Sequence, residues 1–156
     1  MFYVVAIFIS DKIKTMESRR TTQKYLNELT YQIIGCAIEV HRELGPGLLE
    51  RVYEKCFIQE LYAKKLQVEY QQSVPVIYKN EIVDCDLRYD VLVENLIVVE
   101  LKAVQTMLPL FDAQLMTYMK LLKKPKGISI NFNVQNIFKE GQKTFVNEYF
   151  AQLPKE

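Results

Sequence analysis

The sequence predicts an α/β or α+β protein in which a mixed β-sheet is flanked by helices, on three observations. Two early segments repeat apolar residues at intervals of three and four, the period falls to two after Leu66, and a third helical segment separates that β-rich stretch from a later strand. Composition agrees. The 156 residues are 49% hydrophobic and 25% charged, which excludes intrinsic disorder. A globular domain of this size hides roughly 70% of its unfolded surface, enough for a true core. With 20 Lys plus Arg against 19 Asp plus Glu, a broadly basic nucleic-acid coat is excluded, whereas a local basic groove is not. No apolar run approaches the ~18 residues that a membrane span needs, so no membrane association is expected.

Within residues 27–44, Leu29, Ile33, Ala37, Val40 and Leu44 form one stripe of a helix. Gly45-Pro46-Gly47 stops it, because proline cannot continue the ladder and glycine tolerates the left-handed turn beyond a helix end. A second helix follows with the stripe Leu49, Val52, Tyr53, Cys56, Phe57, Glu60 and Leu61, ending over 64–66. The alternation Val68, Tyr70, Gln72, Val74, Val76, Tyr78 reads as strand, broken or edged at Pro75. Lys79-Asn80-Glu81 reads as a turn, and 82–87, 89–93 and 97–101 as further strands of a meander. Pro109 opens a third helix with Phe111, Leu115, Tyr118, Met119 and Leu122 on one face, and Lys123-Lys124-Pro125-Lys126-Gly127 closes it. Ile128, Ile130 and Phe132 alternate as another strand, and 144–150 is a last element of either type. The expected order is α, α, β-meander, α, β.

Residues 1–15 stand apart as an N-terminal extension, leaving 16–156 as a single domain. Its apolar run over 2–9 precedes Asp11, Lys12 and Lys14, the reverse of a secretory signal. It is either an extra strand or flap, or sequence upstream of a natural start at Met16, and the second is preferred. Cys36, Cys56 and Cys85 are widely spaced, and His41 is the only histidine. Reduced core cysteines in a cytoplasmic protein are therefore expected, without a zinc site or thiol catalysis.

Chemistry concentrates in residues 88–102, where Asp90, Glu100 and Lys102 interrupt an apolar hairpin. On a strand, Glu100 and Lys102 point to one side, Val99 and Leu101 to the other. If Asp90 stands opposite Glu100, then Glu94-Asn95-Leu96 is a three-residue loop; a two-residue loop would pair Asp90 with Val99 and turn Glu100 away. In the first register two carboxylates and a lysine converge. Hard divalent ions such as Mg²⁺ or Mn²⁺ prefer such oxygen donors, and a phosphodiester hydrolase needs them to activate water. The bland alternative is a surface strand with a cross-strand ion pair. Gln114 and Tyr118, four apart on the third helix, can reach the same cleft. Glu50 is either a residue favoured by the dipole at the start of the second helix or a third metal carboxylate. Lys64-Lys65 and Lys123, Lys124 and Lys126 either meet phosphates at a cleft rim or are solvated helix ends. His41 is expected at the end of the first helix, where its charge suits the dipole.

Gly47-Leu48-Leu49-Glu50-Arg51-Val52-Tyr53 resembles the signature of the GxxExxY proteins, a group within the PD-(D/E)xK nuclease superfamily. The likeness extends in order through 41–47, Arg88-Tyr89-Asp90, 99–103, 114–118 and 130–133, covering about residues 27–147. It implies an α/β, restriction-endonuclease-like core and a Mg²⁺-dependent nuclease acting on DNA. By motif match, Asp90 resembles the superfamily's metal-binding aspartate and Glu100 with Lys102 its E-x-K pair. Gln114 with Tyr118 is similar to the Q-x-x-x-Y helix motif, and Glu50 to the helix glutamate of the metal shell. The resemblance further implies metal ligation by Glu50, Asp90, Glu100 and the Leu101 carbonyl. Tyr89 replaces the motif proline, as in many members. The rival reading is an inactive module of the same fold that binds nucleic acid or a protein partner, through a homodimer interface. DNA versus RNA, strandedness and sequence preference are not legible at this level.

Overall fold

The structure is a computed structural model, and it describes residues 21–156; the extension expected over 1–15 lies outside them. Helix α1 (Gln23–Leu44) starts earlier than its apolar stripe, because the Thr22 hydroxyl caps it by accepting the Tyr25 N–H at 3.1 Å. Gly45 ends it with φ near +66°, and Gly47 follows at +100°, backbone that only glycine adopts freely. Helix α2 (Glu50–Ala63) comes next, then β1 (Val68–Tyr70), β2 (Val76–Tyr78), β3 (Glu81–Val83), β4 (Val91–Val93) and β5 (Ile97–Lys102). Helix α3 (Pro109–Leu121), with proline at its first position, leads to β6 (Lys126–Asn131), α4 (Ile137–Glu140), β7 (Gln142–Val146) and α5 (Glu148–Ala151).

Five strands form a mixed sheet in the order β1-β4-β5-β6-β7. Only β5 and β6 run parallel, and α3 is the crossover their parallel pairing requires. The sheet is flanked by helices, as expected. The meander is not found as drawn: β1 skips past β2 and β3 to pair with β4, and β2 with β3 forms a separate two-stranded sheet. The cause is local. The β1–β4 pairing continues outward through the bridge Ser73↔Arg88 and the bond from Val74 N–H to Leu87 O. Pro75 then offers no N–H, and the opposing segment carries Asp86 at φ +48°, so the ladder breaks before β2 and β3 resume it. The last segment, expected as one element, splits into β7 and α5 at Asn147, whose side chain caps α5.

Alternation along β4, β5 and β6 divides the core in two. Val91, Val93, Ile97, Val99, Leu101, Ile128, Ile130 and Phe132 pack on α1 and α2. On the other face Leu92 and Val98 pack with Leu115, Tyr118 and Met119 of α3. Gly127 lets that helix come close, since a methyl there would lie 2.6 Å from Met119 Sδ and 3.0 Å from Leu115 Cδ1.

Two sequence expectations are corrected and a third is met. Lys126 is neither a rim lysine nor a solvated helix end: it opens β6, 4% exposed, with Nζ donating to Asn27 Oδ1 at 2.7 Å and lying 5.4 Å from the Phe150 ring. Of the cysteines, Cys36 is buried and Cys56 half-buried, but Cys85 is exposed, because residues 84–86 lie where the ribbon breaks. His41 does sit in the last turn of α1, and its Nε2 also lies 2.7 Å from Val134 O, tying the helix to the loop after β6.

Candidate active site

The β4–β5 register decides the site. Val91 pairs with Val99, Leu92 with Val98 and Val93 with Ile97, so one further step sets Asp90 opposite Glu100. The loop is the three-residue Glu94-Asn95-Leu96, with Glu94 and Asn95 both at positive φ and the Leu96 N–H bonded to Val93 O at 3.0 Å. The two acids interlock. The Asp90 N–H donates to Glu100 Oε1 at 3.1 Å, and the Leu101 N–H donates to Asp90 Oδ2 at 2.8 Å. Asp90 is half-buried and Glu100 is 6% exposed. Burial, and then the charge of Asp90, push the Glu100 carboxyl up to about 9.

Helix α2 adds two further carboxylates. Tyr53 accounts for their placement: its hydroxyl donates to Gly45 O and accepts the Leu48 N–H at 3.1 Å, pinning the turn from which α2 starts. The same ring stacks on Phe132, with centroids 4.5 Å apart and planes 4° from parallel. Glu50 begins the helix and Glu54 follows one turn later, so both project from one face. Burial raises the pKa of both above the usual carboxylate range, and the Asp90 charge adds to each; Lys102 opposes the rise at Glu50 and the Gln71 hydrogen bond opposes it at Glu54. Gln71 spans the gap, its Nε2 lying 2.9 Å from Glu54 Oε2 and 3.3 Å from Asp90 Oδ1. Its φ of +51°, in a sparsely populated region that costs of order 1 kcal/mol, turns it off the β1 line toward the acids.

Lys102 shares the Glu100 side of β5, with Nζ 4.7 Å from the centroid of Phe111 in the first turn of α3. Further along α3, Gln114 Nε2 donates to the Tyr118 hydroxyl at 2.8 Å. Burial raises the Tyr118 pKa, the Gln114 bond opposes this, and the charges of Glu100 and Asp90 add to it, so the hydroxyl stands within electrostatic reach of the acid pair. Leu101 points away into the core, fully buried.

Sequence reasoning therefore named Glu50, Asp90, Glu100, Lys102, Gln114 and Tyr118 in one neighbourhood and missed Glu54, Gln71 and Phe111. Glu54 had a signal. Two like charges four residues apart on a helix are unfavourable in isolation, and a cation or buried partner offsets that cost. Gln71 had none, since it reaches the site only through the β1–β4 pairing. The donor chemistry fits a hard divalent ion: carboxylate oxygens alone, crowded enough that burial and mutual repulsion hold a proton on Glu100. Among the described residues, no three His, Cys, Asp or Glu side chains close into a ready-made metal cage; Asp90 and Glu100 interlock across the hairpin, and the Asp90 charge reaches Glu50 and Glu54. Three runs of the chain thus deliver acids and a lysine to one end of a mixed sheet with helices on both faces, which defines a restriction-endonuclease-like protein. Residues 27–145 match the model of the PD-(D/E)XK nuclease superfamily, and the chain belongs to that superfamily. No curated protein and no solved structure matches the chain.

Proposed function

We propose that this protein is a nuclease of the GxxExxY type that requires Mg²⁺ or Mn²⁺ and hydrolyses phosphodiester bonds of DNA, residues 16–156 acting as one domain in a cytoplasmic setting. One observation carries the reading: Asp90 and Glu100 meet across the hairpin with Lys102 on the same side and Glu50 and Glu54 facing them. Asp90, Glu100 and Glu50, with the Leu101 carbonyl, are the proposed ligands. When bound, the cation lowers the pKa of a coordinated water and offsets charge gathering on the phosphate. Glu100 would hold the cation as a carboxylate, its proton passing to solvent. Lys102, steadied over Phe111, orients the attacking water and balances negative charge on the phosphoryl oxygens. Tyr118, held by Gln114, aims its hydroxyl at the lysine or the phosphate.

The test uses labelled single- and double-stranded DNA and RNA with Mg²⁺, Mn²⁺ or EDTA. Cation-dependent cutting of DNA is expected, falling by about 10³-fold or more in Asp90→Ala and Lys102→Ala, as expected when preorganised charge at a transition state is removed. Cutting that persists in EDTA, or that either substitution leaves unchanged, refutes the assignment. Cation-insensitive binding without turnover favours the inactive module instead.

A further inference from the structure

A cavity of about 350 Å³ lies beside the acid pair, between the first turn of α3 and strands β6 and β7. We propose that it receives one unpaired, amino-bearing nucleobase of the substrate strand; this rests on the nuclease reading and names the kind of strand that reading leaves open. Position comes first. Ser129 on the cavity floor is the β6 register partner of Glu100, one strand spacing away, and Asn131 is the partner of Lys102. Because paired residues point to the same side of a sheet, the cavity opens on the face that carries Glu100 and Lys102. Helix α3 joins the two places: Phe111 lies beneath Lys102, while Leu108 and Pro109 form the cavity wall. A nucleotide next to the scissile bond thus meets the cavity directly.

Chemistry then selects the occupant. Ser129 is only 4% exposed, and among the described residues its hydroxyl has no hydrogen-bond partner. That hydroxyl therefore opens on the cavity, free to donate to or accept from a polar edge that enters it. By contrast, Asn131 on the same floor is tied to the backbone: its Oδ1 accepts the Val104 and Asn133 N–H groups and its Nδ2 donates to Val104 O. Met107, Leu108 and Pro109 present an apolar wall suited to the flat face of a base. A phosphate is disfavoured, because the carboxylates of Asp112 and Glu140 line the same cavity and Lys143 is already paired with Asp112. Those carboxylates instead accept hydrogen bonds from an exocyclic amino group, as on cytosine, adenine or guanine. The volume suffices for one base, lying within the roughly 300 to 1,000 Å³ of small-ligand sites. A duplex delivers such a base only after unpairing, which costs a few kcal/mol, so single strands and frayed ends are the preferred substrates.

The full-length protein is mixed in EDTA with single-stranded oligodeoxycytidine carrying 5-iodocytosine and irradiated, and the cross-link is mapped by peptide mass spectrometry. Adducts on Met107 or Leu108 are expected, with the yield reduced several-fold in Leu108→Asp, an exposed position whose change leaves the core alone. In fluorescence anisotropy, Glu140→Gln, which keeps an oxygen for the Gln135 and Asn136 N–H groups, weakens oligodeoxycytidine binding about fivefold, the equivalent of one hydrogen bond, and leaves oligothymidine binding unchanged. No adduct at Met107 or Leu108, or equal weakening for both oligomers, overturns the proposal. Because cross-linking is read without turnover, adducts at Met107 in a protein that never cleaves defeat the nuclease reading alone. Cleavage without those adducts defeats the cavity alone.

Discussion

The two faces of the central sheet are made from alternate residues of the same strands, yet they do different work. The face toward α1 and α2 is closed: Val91, Val93, Ile97, Val99, Leu101, Ile128, Ile130 and Phe132 bury there, and the one charged residue of β4–β6 on that side, Lys126, is itself buried against Asn27. The face toward α3 is divided. At one end Leu92 and Val98 meet Leu115 and Met119, and at the other Glu100, Lys102, Ser129 and Asn131 follow on the same strands. The strand period of two therefore lets a site be rebuilt on one side without touching the packing that supports it from the other.

Neighbouring residues on β5 give the sharpest way to break that contrast. Lys102→Ala is expected to abolish most cleavage while thermal unfolding moves by no more than about 2 °C, as for a half-exposed residue outside the core. Leu101→Ala, one position away on the closed face, is expected to cost about 3 kcal/mol in denaturant unfolding, the usual penalty for a cavity left by a buried leucine. If Lys102→Ala unfolds the protein instead, the two faces are not separable.

Glu100 carries the next effect. Its folded-state pKa near 9 lies above that of the unfolded chain, so the folded state holds the extra proton. The stability that Glu100 contributes is therefore fully present below about pH 4.5 and is lost as pH rises toward 9. Glu100→Gln is expected to raise the melting temperature of the metal-free protein by roughly 3 to 6 °C at pH 8, with little effect at pH 4. Saturating Mn²⁺ narrows the gap by stabilising only the wild type. A gap independent of pH contradicts the burial argument.

The smallest effect belongs to Lys126, whose pKa burial lowers. Here the unfolded chain binds more protons, so stability climbs as pH rises through the lowered pKa toward 10.5. Lys126→Met removes that climb. Its advantage or deficit relative to wild type, about 2 °C or less, drifts downward as pH rises toward 10.5 in a thermal scan.

How much was legible in the sequence follows from how local each determinant is. The hairpin left two registers open, each with a stated consequence, and the structure takes the one whose three-residue loop brings Asp90 to Glu100. Helices α1 and α2 and the Gly-Pro-Gly stop were readable from periodicity. Lys126 was misread because Lys-Pro-Lys-Gly carries every mark of a surface turn, whereas Asn27, ninety-nine positions earlier, supplies its partner. The β2–β3 separation depends on how Pro75 meets the break around residue 86, which no single segment encodes. Gln71 and Ser129 are ordinary polar residues until non-local pairing sets one beside Asp90 and the other beside Glu100.

Gly127 has a mechanical consequence. The separation between the crossover helix and the sheet is fixed where a hydrogen replaces a methyl, under Met119 and Leu115. Tyr118 rides on that helix, so the gap between its phenol and the acids is set by a residue that touches neither. Bulk at 127 acts as a wedge, prying the aromatic probe off its target while every charged group keeps its place.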